Sequence, residues 1–243
     1  MGDAEQSEPV IDTESPARVS LFSDLEVTGC GLVFEEQAWE SGFKFVAGLD
    51  EVGRGCLAGP VVAGACILDP GRELPYGLND SKQLTALQRS EIAAELREKC
   101  VAFAIGSVTA DEIDRINILE ATKLAMRLAI AELVPAADFL LIDALVLKGV
   151  ATPQRSIIKG DSISASIAAA SILAKTYRDE LMHAYESDFP GYGFAEHVGY
   201  GTRRHLDALA EHGPSPIHRI TFRGVVQKQE ISLAIGGDAG MQE

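Results

Sequence analysis

The chain has 243 residues, a formal net charge of −15, and a composition of 47% hydrophobic, 23% charged and 6% aromatic residues. That is enough chain for one large domain or two small ones with a sizeable core, and no apolar run approaches the length of a membrane span. The acidic N-terminus lacks the basic-then-apolar pattern of a secretory signal, so a cytoplasmic protein is expected. Cys30, Cys56, Cys66 and Cys100 show no CxxC spacing, and three of them lie in apolar segments. Free, core-type thiols are the expected state.

The charge is unevenly spread. Residues 1–40 hold ten acids against the single base Arg18, so nine of the fifteen excess negative charges lie there and six remain for residues 41–243. Whole-chain charge therefore does not exclude a nucleic-acid partner, and the local arrangement of bases must decide. Residues 1–30 are polar and acidic and read as a disordered tail. The ordered domain spans 31–228, with a flexible tail over 229–243.

The segment from Val33 to Trp39 opens the domain, with Trp39 expected at its edge. Phe45–Leu49 predicts a first strand that delivers Asp50 and Glu51 into the Gly53-Arg54-Gly55 turn. Gly59–Leu68 predicts a second strand in an antiparallel hairpin with the first. Its small residues Ala63, Gly64 and Ala65 predict close packing by a helix. Thr85 and Gln88 form a capping box for a helix presenting Leu87, Ile92, Leu96 and Cys100. Val101–Gly106 reads as a third strand. Thr109 caps a short helix, and Asn117 caps a longer one running to Val134. Phe139–Ile142 is continuously apolar, as a central strand covered on both faces should be, and ends in Asp143. Ser156–Lys159 predicts a fifth strand ending at Gly160-Asp161. A long helix follows from Ser162 toward Tyr185, and Thr202 caps another that ends at Gly213 with Leu206 and Leu209 inward. All five histidines lie between His183 and His218 without zinc-ligand spacing. The element order implies an α/β fold, a mixed central sheet flanked by helices with a helical C-terminal region.

A buried strand has no structural use for two neighbouring acids, since an unpaired buried carboxylate costs several kcal/mol or takes up a proton. Divalent cations, which prefer oxygen ligands, would make them tolerable. Asp50, Glu51, Asp143 and Asp161 all fall at strand or helix ends, where open α/β sheets bind ligands. Each also has a plainer reading: Asp161 as a helix cap, Asp143 as a turn acid. Adjacent strand residues face opposite ways, so Asp50 and Glu51 can share a site only if Glu51 lies beyond the regular strand or at a bulge.

Several blocks together closely resemble bacterial ribonuclease HII over residues 44–226. They are Asp50-Glu51-Val52-Gly53-Arg54-Gly55, Asp80-Ser81-Lys82, Ile142-Asp143, Gly160-Asp161, Ala168–Lys175, Tyr192–Ala195 and His197–Thr202. The resemblance implies a ribonuclease-H-like core and cleavage of the RNA strand of RNA–DNA hybrids. It also implies cutting 5′ of single ribonucleotides embedded in duplex DNA, leaving 3′-hydroxyl and 5′-phosphate ends. By position it makes Asp50, Glu51, Asp143 and Asp161 the ligands of two Mg²⁺ or Mn²⁺ ions. Gly53, Arg54 and Gly55 become the loop that reads the 2′-hydroxyl, Tyr200 a residue stacking on the junction sugar, and Lys82, Ser171 and Lys175 neighbours of the phosphate backbone. Without it, Tyr200 reads as an edge aromatic, Ser171 as a packing residue and Lys175 as a solvated helix end.

Lys175, Arg178, Arg203, Arg204, Arg219 and Arg223 read as bases lining a duplex groove. Val198 departs from the family, which commonly carries lysine there, and an extra N-terminal domain of the ribonuclease HIII type is not expected. Competing readings are a non-catalytic hybrid-binding protein, a ribonuclease HI-type enzyme or a resolvase. A monomer is expected, and Gln227–Ile235 is a weak candidate for contact with a replication clamp.

Overall fold

The computed structural model describes residues 29–226. The expected tails, apart from Gly29 and Cys30, and the candidate clamp segment lie outside them. A short helix α1 (Val33–Glu40) leads into a five-stranded sheet made of β1 (Val46–Val52), β2 (Val61–Ile67), β3 (Ala102–Val108), β4 (Phe139–Asp143) and β5 (Gln154–Ile157). Their spatial order is β3-β2-β1-β4-β5. The β3-β2-β1 half is antiparallel, as the short hairpin link requires, and β1-β4-β5 is parallel. The sheet is therefore mixed, and β1 is its central strand.

Helices cover both faces. Helices α2 (Ala86–Lys99), α3 (Ala110–Ile116) and α4 (Ile118–Ala131) carry the caps read from sequence: Thr85 with its reciprocal Gln88 box, Thr109 on the Glu112 N–H, and Asn117 on Leu119 and Glu120. Apolar residues of β1, β2 and β4 such as Ala47, Leu49, Ala63 and Ile142 meet Ala121, Ala125 and Ala129 of α4 on one face. The long helix α5 (Ala165–Asp188) lies on the other. Its fit depends on the small residues of β1 and β2. A Cβ on Gly48 would stand 2.1 Å from the Ser166 carbonyl carbon, and one on Gly64 would stand 2.3 Å from the Ala170 oxygen. Helix and sheet thus touch backbone to backbone.

Some expectations shift. The fifth strand sits two residues earlier than predicted, because its parallel ladder runs from Leu140↔Gln154 to Asp143↔Ile157 and Lys159 then turns at φ +56°. The apolar Ile158, read as strand, is 78% exposed. Helix α4 stops at Ala131 rather than Val134, in keeping with the bias against helix just before Pro135. Helix α5 begins at Ala165 with Ser164 as its cap, after a 3-10 turn over Gly160–Ser162, so Asp161 is not its cap. Leu87 is 69% exposed, lying about 140° round the helix from Ile92. Leu206 is also exposed, since His205 takes the inward position beside Ala208 and Leu209.

The C-terminal region packs α6 (Phe194–His197) and α7 (Arg203–His212) onto α5 around Leu57, Met182, Tyr192 and Phe194. Three histidines thread this lobe. The Ser215 N–H donates to His218 Nδ1 at 2.9 Å, which leaves His218 Nε2 to donate to His205 Nε2 at 2.9 Å. His205 Nδ1 then donates to the Tyr200 carbonyl at 2.9 Å. His197 accepts the Gly199 N–H at Nδ1 and donates from Nε2 to the Tyr192 carbonyl. Each ring is neutral in this pattern and fixed in one tautomer.

Burial and the neighbouring His205 push His218 down from 6.5 to about 4. The unfolded chain therefore takes up a proton that the folded chain refuses. The His218 contribution to stability is constant above about pH 6.5, falls as pH drops toward 4, and levels off below. The His218 contribution is at most ~3 kcal/mol. Melting curves should show the wild type losing stability relative to His218→Gln as pH falls from about 6.5 to 4, and a difference that does not change with pH would remove His218 from the titration.

Candidate active site

A cleft of about 210 Å³ opens at the C-terminal end of β1, lined by nine of the eleven residues singled out in the sequence. They are Asp50, Glu51, Gly53, Arg54, Gly55, Lys82, Ser171, Lys175 and Tyr200. The other two lie beside it: Lys82 Nζ is 2.6 Å from Asp161 Oδ2, and Asp143 Oδ1 accepts the Gly160 N–H at 2.7 Å.

Asp50 and Glu51 reach the same cleft although the strand neither bulges nor ends before Glu51, the two arrangements expected from the sequence. Their ladder with β2 is regular through Val52↔Val62, whereas the ladder with β4 ends at Leu49↔Ile142. Past that point one flank of β1 is open. Asp50, in phase with Gly48, points toward α5, and Glu51, in phase with Ala47 and Leu49, points to the other face. Both line the cleft around the free flank.

Each acid has a separate partner. Ser171 lies beside Asp50 and favours its charged form, and the Glu51 N–H donates to Asp50 Oδ1 at 2.8 Å. Arg54 Nη1 holds Glu51 Oε1 at 2.9 Å. Burial, then the Glu51 charge, pushes the Asp50 carboxyl up to about 8. Burial also raises Glu51 and Asp143, with Asp143 acting on Glu51 and Asp161 acting on Asp143. For Lys82, burial opposes the charge, but the Asp161 contact outweighs it and the net shift is upward. The four acids thus form one electrostatic group in which at least one carboxyl favours a proton.

Among the described residues no three Asp, Glu, His or Cys side chains already converge on one point as a metal site would. The donor set nevertheless fits a hard divalent cation. It is all oxygen, it is crowded with like charge, and Glu51 Oε2 is buried with no hydrogen-bond partner among the described residues.

The Gly53–Gly55 loop has a local cause. Gly53 sits at φ +89°, and a Cβ there would stand 2.3 Å from Arg178 Nε. Arg178 and Arg219, read from sequence as groove bases, are in fact fully buried under this loop. Their guanidiniums are spent on backbone carbonyls: Arg178 on Ala58, Pro60 and Val198, Arg219 on Arg54 and Gly59. Arg203 and Arg204 are exposed and pair with Asp207 and Glu196. Lys175 reaches the cleft while held to Asp179 at 2.5 Å. Tyr200 is 42% exposed and its hydroxyl contacts the Cys56 thiol. Val198, two residues earlier, adopts φ +43°, a costly conformation for a β-branched side chain.

Two contributors escaped sequence reasoning. Ser81, 5% exposed, bonds Ser171 across the cleft at 2.9 Å, and Asp80 adds a fifth negative charge near Lys82. Both stand in the Asp80-Ser81-Lys82 block, where only the lysine was assigned.

The model of the family described as Ribonuclease HII matches residues 47–225. A ribonuclease HII of Desulfitobacterium hafniense (strain DSM 10664 / DCB-2) is 53% identical over 197 residues, 81% of this chain and 75% of that protein. The chain belongs to the ribonuclease HII family. It is accordingly a nuclease of the ribonuclease H type, acting on RNA–DNA hybrids. The ribonuclease H2 of Pyrococcus horikoshii OT3 has the same fold, with a TM-score of 0.64 and 26% identity over 80% of this chain and all of that one. Bst-RNase HIII in complex with Mn²⁺ shares the fold at TM-score 0.57 and 20% identity, covering 79% of this chain and 70% of that one. The non-catalytic reading is thereby set aside. No helix among the described residues is long and apolar enough to cross a membrane.

The steric case for Gly53 yields a test. Gly53→Ala puts a Cβ into a left-handed backbone and onto Arg178, at ~1–2 kcal/mol for the backbone alone. Hydrolysis of an RNA–DNA hybrid by this ribonuclease HII family member should fall at least ~10-fold. Far-UV circular dichroism should remain native. Unchanged hydrolysis would show that the loop tolerates a side chain.

Proposed function

We propose that this chain incises duplex DNA on the 5′ side of a single embedded ribonucleotide, besides cutting the RNA strand of hybrids. The reading rests on one observation: the paired acids, the glycine-flanked loop and Tyr200 share one cleft, with a carboxylate oxygen left unpartnered inside it. Asp50, Glu51, Asp143 and Asp161 would hold two Mg²⁺ or Mn²⁺ ions, consistent with the Mn²⁺ in the ribonuclease HIII of the same fold. When bound, such ions lower the pKa of water and offset charge on attacking and leaving oxygens.

The chain's own residues supply the rest. Four carboxylates nearly balance the charge of two divalent ions, so a phosphodiester approaching the loaded site meets little net repulsion. Lys175 and Lys82 flank the cleft and can meet phosphate oxygens, while Ser171 favours the charged form of Asp50. The 2′-hydroxyl distinguishes RNA from DNA, and a loop with glycine at both ends lets backbone amides approach it. Tyr200 offers a half-open aromatic face opposite. This division of labour favours a junction-reading enzyme over a ribonuclease HI-type or resolvase activity.

A labelled duplex carrying one ribonucleotide should be cut once, 5′ to that residue, with Mg²⁺ and not with chelator. No cut there, with hybrids still hydrolysed, would reject the junction activity. Asp50→Asn should lower turnover on the order of 10³-fold with an unchanged fold. Near-wild-type turnover would remove Asp50 from the ligand set. Tyr200→Ala should depress cutting at the single ribonucleotide about 10-fold more than cutting of a continuous RNA–DNA hybrid. An equal loss on both substrates would assign Tyr200 to general binding.

A further inference from the structure

Two glycines flank Arg54, and only one is explained from within the chain. Gly53 has positive φ and Arg178 against it, whereas a Cβ on Gly55 would meet nothing within 4 Å among the described residues and its φ lies outside the left-handed region. Gly55 instead borders the open cleft.

The peptide between Arg54 and Gly55 has a fixed direction. The Arg54 carbonyl accepts from Arg219 Nη1 at 2.9 Å, and Arg219 is 0% exposed beneath the loop. In a trans peptide the C=O and the following N–H point opposite ways. With the carbonyl drawn down to Arg219, the Gly55 N–H is aimed up into the cleft. It has no hydrogen-bond acceptor among the described residues. The guanidinium is itself immobilised: Nε and Nη2 both donate to the Gly59 carbonyl at 3.0 and 2.9 Å, and its Cζ lies over the Phe222 ring, 5.0 Å from the centroid. No carboxylate among the described residues forms an ion pair with it.

We infer that Arg219 is a positioning residue for ribose recognition, which fixes the Arg54–Gly55 peptide so that the Gly55 N–H faces the 2′-oxygen of the ribonucleotide. This rests on the proposed assignment of the Gly53–Gly55 loop to the ribose. Arg178 performs the matching task on the opposite wall, tying the Val198 carbonyl, two residues before Tyr200, to Ala58 and Pro60. A lysine at 219 would keep the charge but lose the planar fork that spans two carbonyls, so the effect sought is one of direction rather than of charge.

The test uses the full chain and its Arg219→Lys variant. The variant should lose about 10-fold or more in kcat/KM on a duplex with one ribonucleotide. Its affinity for the all-deoxy duplex in chelator should stay within about twofold. In chelator, ¹⁵N-glycine-labelled wild type should show the Gly55 amide resonance shifting with the ribonucleotide duplex and not with the all-deoxy duplex. Arg219→Lys should lose that difference. Retained selectivity and a retained Gly55 shift in the variant would overturn the inference. So would a wild-type Gly55 amide indifferent to the ribonucleotide, a result that stands even if the variant does not fold. Gly53→Ala separates the two levels of argument. If it keeps ribonucleotide selectivity, the assignment of the loop itself fails; if it loses selectivity while Arg219→Lys keeps it, only the role of Arg219 fails.

Discussion

The backbone-to-backbone contact of α5 with β1 and β2 is the constraint from which the cleft follows. With no side chain at Gly48 or Gly64, the helix settles directly onto the strands, and its own residues arrive at fixed heights above them. Ser171, Lys175 and Arg178 recur at the i, i+4 and i+7 spacing of one helix face. Ser171 meets Asp50, Lys175 lines the cleft, and Arg178 fills the space that a Cβ on Gly53 would need. One rigid element thus serves the acids, the cleft wall and the loop. The alanines around these residues are small because the approach is close.

A second constraint is electrostatic. At the ends of β1 and β4, burial raises the proton affinity of Asp50, Glu51 and Asp143, and the charges of neighbouring carboxylates add to the effect. Lysine and arginine side chains hold Asp161 and Glu51 in check. Charge crowding of this kind does nothing for stability and is a common mark of sites built for chemistry. It agrees with the nuclease family to which the chain belongs.

Much of this was legible in the letters. Caps at Thr85, Thr109, Asn117 and Thr202 follow from side-chain chemistry that acts within one helical turn, so they are local and readable. The mixed sheet followed from a short hairpin link and from an uninterrupted apolar β4. What depended on three dimensions was harder to read. Ile158 looks like strand and is exposed because a turn at Lys159 ends the ladder. Glu51 needed neither a bulge nor an early strand end, since the pairing of β1 with β4 stops at Leu49 and that depends on where β4 lies. Arg178 and Arg219 resemble surface bases by composition, yet they are buried, because nearby loops turn carbonyls inward and no acidic partner in sequence announces that. His205 displaced Leu206 from the inward face for the same reason, a polar network closing on backbone.

The pairing of Asp161 with Lys82 and of Glu51 with Arg54 has a consequence for how the molecule comes into being. A polypeptide that brings its own counter-charges can reach its native form in a medium poor in divalent ions, unlike small domains whose architecture collapses when the metal is withdrawn. Folding would then be separate from uptake of the proposed ions. At Asp161 and Glu51 that uptake would be an exchange, with the Lys82 ammonium and the Arg54 guanidinium giving up their carboxylates and left at the rim to face an incoming polyanion.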